Sequence, residues 1–262
     1  MGNFSNYAEN KALDHVLKVA AYTPAMNLYF SLHTADPTDA GTGAEVANSN
    51  NYARVLCNVW NAAAARLADN TGAVSFAQAS GAWGTVTHWG IWDSGTYGAG
   101  NLIAYGAFTA SKVIVSGNIF TIPAGGCDIS VTSGVVSTFL ANKILDHFLK
   151  TASYTPATNI KVAFSTADPT NDGSGLAEPV GNNYARTTCN VFDVAVNGAT
   201  ANTNIIDSPV ASGNWGTITH VALFDDEATP NMLLFGTITP SQAVGANDNF
   251  EYAAGGLDIT LD

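Results

Sequence analysis

The hexapeptide Trp83-Gly84-Thr85-Val86-Thr87-His88 returns as Trp215-Gly216-Thr217-Ile218-Thr219-His220, 132 positions later. Both copies run through an apolar stretch into an aspartate, Asp93 and Asp225. Over residues 83–93, six of eleven positions are identical in the second copy. The five exchanges, Val86/Ile218, Trp89/Val221, Gly90/Ala222, Ile91/Leu223 and Trp92/Phe224, all keep an apolar or small side chain. A core strand duplicated together with its fold has this pattern; a catalytic peptide has no need of it.

The same offset holds elsewhere. Residues 11–24 (KALDHVLKVAAYTP) match residues 143–156 (KILDHFLKTASYTP) at ten of fourteen positions. Residues 34–38 recur unchanged as 166–170, and Asn51-Tyr52-Ala53-Arg54 recurs as Asn183-Tyr184-Ala185-Arg186. Near the end the offset becomes 130, where residues 125–129 match 255–259. A period of about 130 residues is single-domain size, and far longer than a solenoid repeat. The expectation is two domains of one fold, 1–133 and 134–262, that superpose on one another. The join at 132–137 leaves almost no linker, so the units should pack side by side with little relative motion.

Composition sets the class. Only 11% of residues are charged and 47% are hydrophobic, too apolar for a disordered chain. The net charge is −12, and 9 Lys+Arg against 21 Asp+Glu cannot form a broad basic face, so nucleic acid is not an expected partner. No apolar run is long enough to span a bilayer, and the first ten residues carry neither signal-peptide regions nor a good myristoylation pattern. No membrane partner is expected. Cys57 and Cys189 are equivalent, and Cys127 faces a leucine in the other copy; buried free thiols are the expectation.

Each unit should open with a short α-helix, over 8–20 and 138–152, where Leu13, Val16, Leu17 and Ile144, Leu145, Phe148 fall at helical spacing. Ser137 and Thr138 are suitable N-caps, and Pro24 and Pro156 bar continuation. Asp14-His15 and Asp146-His147 invite an acid–base reading, but adjacent helical residues point about 100° apart, which favours structural or surface histidines. Strict alternation then marks strands over 28–33 and 160–165. Further strands are expected at 52–59 and 184–191, at the Trp-Gly-Thr segments, at 102–105 and 232–235 as hairpin partners, ending at Phe120 and Phe250, and at 128–131 and 258–261. Strands this short, with frequent turn signals, read as a mainly β protein: two antiparallel β-sandwich or jelly-roll-like domains. The Trp-Gly-Thr strands, apolar on both faces from His88, should be central, with Trp83, Trp215, His88 and His220 largely buried.

The intervening loops carry Asp36, Asp39 and Glu45, or Asp168, Asp172 and Glu178. Oxygen ligands could hold calcium, but the spacing is not that of an EF-hand, and Asp-Pro and Asp-Gly are ordinary turn chemistry, so no metal is expected. Arg54 and Arg186 should each pair with an acid of its own unit. No nucleophile elbow, P-loop, H-E-x-x-H or paired-cysteine zinc motif is present. His/acid pairs recur symmetrically in both copies, which weakens a catalytic reading. No catalytic residue, metal ligand or cofactor is therefore expected.

One conjunction of motifs goes further. Leu145-Asp146-His147, Tyr154-Thr155-Pro156-Ala157, Ser165 to Thr170 (STADPT), Gly173 to Pro179 (GSGLAEP), Asn183 to Arg186 (NYAR), Trp215 to His220 and the terminal Leu257 to Asp262 (LDITLD) together resemble the small phage virion proteins often labelled tail fibre protein. Those are usually one such unit. The resemblance covers nearly all of both copies and is tightest in the second; the first departs at His33, where the second has Ser165, and at 42–46. It implies a structural role without chemistry in a tailed-phage virion and leaves tail fibre, tail accessory and capsid decoration (cement) all open; the expected place is the particle exterior, as capsid decoration or in the tail-fibre region. Partners would be other virion proteins, major capsid or tail proteins, in a homo-oligomeric or multi-copy assembly. The rival reading is a carbohydrate-binding receptor-recognition module, for which Trp60, Trp89, Trp92, Tyr97 and Tyr105 would have to be exposed; their place in strand patterns favours the core instead.

Overall fold

The computed structural model describes residues 2–132, 134–226 and 228–261. The first repeat contains β1 (Gly2–Phe4), α1 (Asn6–Val16), β2 (Tyr29–His33), β3 (Val55–Leu56), β4 (Leu67–Asp69), β5 (Val74–Ser75), β6 (Gly84–Trp92), β7 (Leu102–Ile114), β8 (Thr121–Ile122) and β9 (Asp128–Ser130). The second contains α2 (Thr138–Phe148), β10 (Ile160–Ser165), β11 (Thr187–Thr188), β12 (Ala199–Ala201), β13 (Ile206–Asp207), β14 (Gly216–Asp225), β15 (Met232–Val244), β16 (Glu251–Tyr252) and β17 (Asp258–Thr260). The protein is mainly β, a duplicated sandwich of curled, largely antiparallel sheets with one short helix near the start of each copy; against the expectation, β1 pairs with β9 in parallel and precedes α1, so the first copy opens on a strand.

Both helices are capped by serine. Ser5 Oγ accepts from Ala8 N at 3.3 Å, and Ser137 Oγ from Leu140 N at 3.1 Å. Both end several residues before the expected limits, well short of the prolines. Lys18 (φ 66°) and Lys150 (φ 65°) are left-handed, and their N–H groups turn back to His15 O and His147 O. The chain thus leaves the helix through a left-handed C-terminal turn rather than being stopped by proline.

The first sheet has seven strands in the order β3-β2-β6-β7-β1-β9-β4, with a β5–β8 ribbon beside it. The second repeat gives β11-β10-β14-β15, with β12–β17 and β13–β16 as separate ribbons. As expected, β6 and β14 are central. Their hairpin partners run on for 13 residues each, past the four expected, because a register shift between Val86 and His88, and between Ile218 and His220, lets the ladder resume beyond a bulge. The strands expected at 52–59 and 184–191 shrink to two residues each. Residues 115–120 form the approach to β8 rather than a strand ending at Phe120.

Two of the repeated motifs meet. Trp83 Nε1 donates to Asn50 O and Trp215 Nε1 to Asn182 O, both at 2.9 Å. Asn50 and Asn51, like Asn182 and Asn183, sit at positive φ, so each indole closes the tight turn that launches Tyr-Ala-Arg. Gly84 (φ 89°) and Gly216 (φ 88°) are glycines because the chain bends there into a left-handed conformation between indole and strand. Trp83 and Trp215 are buried as expected. His88 and His220 are not; both are partly exposed, and each Nδ1 lies 2.8 Å from the preceding threonine hydroxyl. Both lie next to the register shift, where the extra residues of β7 and β15 interrupt the ladder.

Candidate functional site

The Asp-His pairs on the helices lie where the two repeats meet. The His15 and His147 rings stack with centroids 4.6 Å apart and planes 6° apart. His15 Nε2 lies 3.0 Å from Tyr154 O, and His147 Nε2 lies 3.0 Å from Tyr22 O. Tyr22 N donates to His15 Nδ1 at 3.1 Å and Tyr154 N to His147 Nδ1 at 3.2 Å. An Nδ1 that accepts from an amide and an Nε2 against a carbonyl describe neutral rings protonated at Nε2. The aspartates face away from the histidines, as the helical spacing required. Asp14 Oδ1 accepts from Ala195 N and Asp146 Oδ1 from Ala63 N, both at 2.8 Å. Asn10 and Asn142 do the same for Gly198 N and Arg66 N, at 2.8 Å each. The Arg66 and Gly198 amides lie in two-residue hairpin turns, with Ala65, Arg66, Asn197 and Gly198 all at positive φ, and the Ala63 and Ala195 amides lie just before those turns.

Every one of these contacts has its mirror 132 positions away, so the repeats touch through an isologous interface, the geometry of a two-fold homodimer. Lys18 and Lys150 add reciprocal bonds to Thr158 O and Met26 O. The apolar filling is continuous: Phe4 and Tyr22 pack against Phe148 with centroids 5.1 and 4.6 Å away, and one buried cluster runs through both repeats. Sequence reasoning placed the histidines as structural but missed Asn10 and Asn142; the repeated Asn-Lys dipeptide just upstream of the matched segment was the available signal.

The second feature of each repeat is an arginine–glutamate centre, expected in kind from the sequence. Arg54 Nη2 and Nε meet Glu45 Oε2 and Oε1 at 2.7 and 2.9 Å, Tyr52 OH donates to the same carboxylate at 3.0 Å, and the guanidinium lies 3.9 Å from the Trp92 ring centroid. Arg186 repeats this with Glu178, Tyr184 and Phe224. The remaining loop acids are engaged too. Asp36 and Asp168 close turns onto Thr38 N and Thr170 N, and Asp39 accepts from Tyr105 OH. Thr170 Oγ1 and Ser174 N hold the Asp172 carboxyl low, at about 2. Among the described residues no group of three or more His, Cys, Asp or Glu could hold a metal ion.

The repeats also differ, at the point where the offset falls from 132 to 130. The β6–β7 turn (residues 93–101) is two residues longer than its counterpart at 225–231. Arg54 Nη1 donates to Ser94 O and Ala99 O across it, at 2.9 and 2.8 Å. The turn frames a groove of about 790 Å³ beside Asn6, Tyr7 and Tyr97, reached also by Asn197 of the other repeat; the matching hollow in the second repeat is about 240 Å³. Below it Trp92 Nε1 donates to Ser31 Oγ at 2.7 Å, and Ser31 Oγ lies 2.7 Å from His33 Nε2. This serine–histidine pair has no exposed surface, so it is a buried polar link and not a nucleophile open to substrate. Trp60, Trp89 and Trp92 are all buried and offer no sugar-stacking platform; Tyr97 is exposed and Tyr105 partly so. Cys57, Cys127 and Cys189 are free and buried, and burial pushes the Cys57 thiol up to about 12.

Acid should loosen the protein. Burial holds His33 down to about 4, with nearby Glu45 acting in the opposite sense and Arg54 and His88 with it. Burial also lowers His147, the neighbouring His15 ring adding to it and the bond to Tyr22 O opposing it. Depressed histidines bind protons more readily in the unfolded chain, so stability is complete above about pH 6.5 and falls as pH drops through that value toward about 4. At about 1.4 kcal/mol per pH unit, His33 alone accounts for about 3 kcal/mol. Urea midpoints measured between these limits should show the loss, and His33→Ser, the residue the second repeat carries, should remove much of it. An unchanged pH profile in that variant would refute the assignment.

Fold and interface together define a class: a tandem-duplicated β protein, interlocked through a pseudo-two-fold axis, whose polar groups mostly hold the chain to itself. The family described as podophage GP4 fiber I protein gp80 matches residues 3–130 and again 135–260, and the chain belongs to that family with its unit present twice. It is a structural protein of the phage virion. No curated protein matches the chain.

Proposed function

We propose that the protein is a non-enzymatic, multi-copy component of the particle exterior, part of the tail-fibre apparatus, in which two fused units serve as a ready-made dimer bound to other virion proteins. The observation that carries this is the isologous interface. A pair of units already locked together by Asp14, Asp146, His15 and His147 presents two related outer surfaces at fixed spacing. Fusion removes part of the entropic cost of recruiting the second unit, so each surface can bind weakly while the pair stays attached. With 11% charged residues, contacts to neighbours would be mostly apolar and hydrogen-bonded, and so resistant to salt. The family's description as a fibre protein supports the fibre placement, and the buried tryptophans weigh against the carbohydrate reading.

Purified particles should carry many copies, located by antibody-gold labelling at the tail rather than over the capsid faces. The copies should survive a wash at about 1 M salt, where the screening length is about 3 Å. Label spread over the capsid would replace the fibre placement with decoration. Protein free in lysates, absent from particles and turning over a substrate would defeat the proposal.

A further inference from the structure

The repeats differ most in core chemistry at one pair of positions, Trp89 and Val221. Trp89 is 1% exposed and lies across Gly106, its ladder partner on β7. A Cβ built on Gly106 would come within 2.7 Å of Trp89 Cζ2, and one on Gly2 of β1 within 2.3 Å of Cη2. The indole therefore plugs the space between β6, β7 and β1. In the second repeat Val221 pairs with Gly236 in the same register, and a Cβ on Gly236 would meet nothing within 4 Å. A cavity of about 250 Å³ lies there, floored by Val221, Leu223, Ile238, Leu257 and Ile259. Some refilling has occurred: Leu234 stands where the first repeat has Ala104, and Leu257 where it has Cys127. The space nevertheless stays open to the surface, with Thr237 and Asp258 among its lining residues.

We propose that this cavity is a binding pocket for an indole-sized planar aromatic group. The first repeat itself shows what the site accommodates, since the same fold closes on an indole at the equivalent position. Apolar walls give the binding force, and a glycine wall suits a flat ring better than a bulky aliphatic group. The lining holds no cationic side chain, so an anionic ligand has no counter-charge. The group can arrive as a free small molecule or as the tryptophan side chain of a neighbouring chain. Both share this chemistry.

The test titrates the full chain with indole and with N-acetyltryptophanamide, read by calorimetry and ligand-observed NMR, with a cyclohexane-ring alcohol as the non-planar control. One indole should bind per chain and raise the melting temperature. Binding should be lost in Val221→Trp, which restores the plug, and in Gly236→Leu, whose side chain grows into open space. Trp89→Val should open a second site and take the stoichiometry from one to two. Equal binding of the tryptophan amide assigns the source to a protein side chain; binding of indole alone assigns it to a free aromatic. No indole binding up to its solubility limit, undiminished binding in Gly236→Leu, or equal affinity for the cyclohexane ring would overturn the proposal.

Discussion

Replacing Arg54 by alanine should cost about 3–5 kcal/mol of stability, the usual scale for removing one partner of a buried ion pair. The side chains of Arg54 and Glu45 are 1% and 10% exposed, so the stranded carboxylate keeps Tyr52 OH but gains little water. Ser94 O and Ala99 O lose their donors as well, freeing the turn at 93–101. The second repeat supplies an internal control. Arg186 and Glu178 are 25% and 20% exposed, and among the described residues the shorter turn there offers no matching pair of carbonyl bonds, so Arg186→Ala should cost distinctly less. Urea denaturation of the two variants measures the difference. Changing both partners, Arg54→Met with Glu45→Leu, should recover most of the loss, because no buried charge is then left alone. Equal effects at the two sites would show that burial does not set the cost.

Trp215→Ala should also cost about 3–5 kcal/mol, for a different reason. The side chain is 4% exposed and meets the Tyr184 ring edge-on at 5.2 Å. Truncation leaves a cavity and removes the donor to Asn182 O. Asn182 holds a positive φ of 50°, so the turn loses one of its ties as well as its packing. Trp215→Phe separates the two contributions, since it keeps most of the packing and loses only the bond; it should retain more than half of the stability. A melting temperature unchanged in Trp215→Ala would place the indole outside the core.

Much of this was legible in the residues. The repeat fixed the tandem organisation, and two-residue alternation found β2 and β10 to within a residue. Arg54 and Arg186 were assignable because cations are scarce in this chain and acids lie close by in sequence. The misses have separate causes. Bulges lengthened β7 and β15 and left His88 and His220 beside an interrupted ladder, and alternation carries no mark of where a register slips. The asymmetry at 93–101 showed only as a two-residue change of offset, whose meaning depends on where Arg54 points. The interface was invisible because helix and partner turn lie far apart in sequence, as with Asp14 and Ala195; nothing in a helical pattern says which amide a carboxylate will find.

The reciprocal interface has a consequence for how such a protein can change over generations. In a homodimer each substitution is made on both sides of the axis at once, so a residue useful in one half must be tolerable in the other. Joining the halves in one chain lifts that rule while keeping the geometry. Trp89 can stay a plug while Val221 opens a hole, and His33 can sit in a buried polar link while Ser165 does not. The axis is kept by a few residues on two short helices, and the positions beyond it are free to become different from one another.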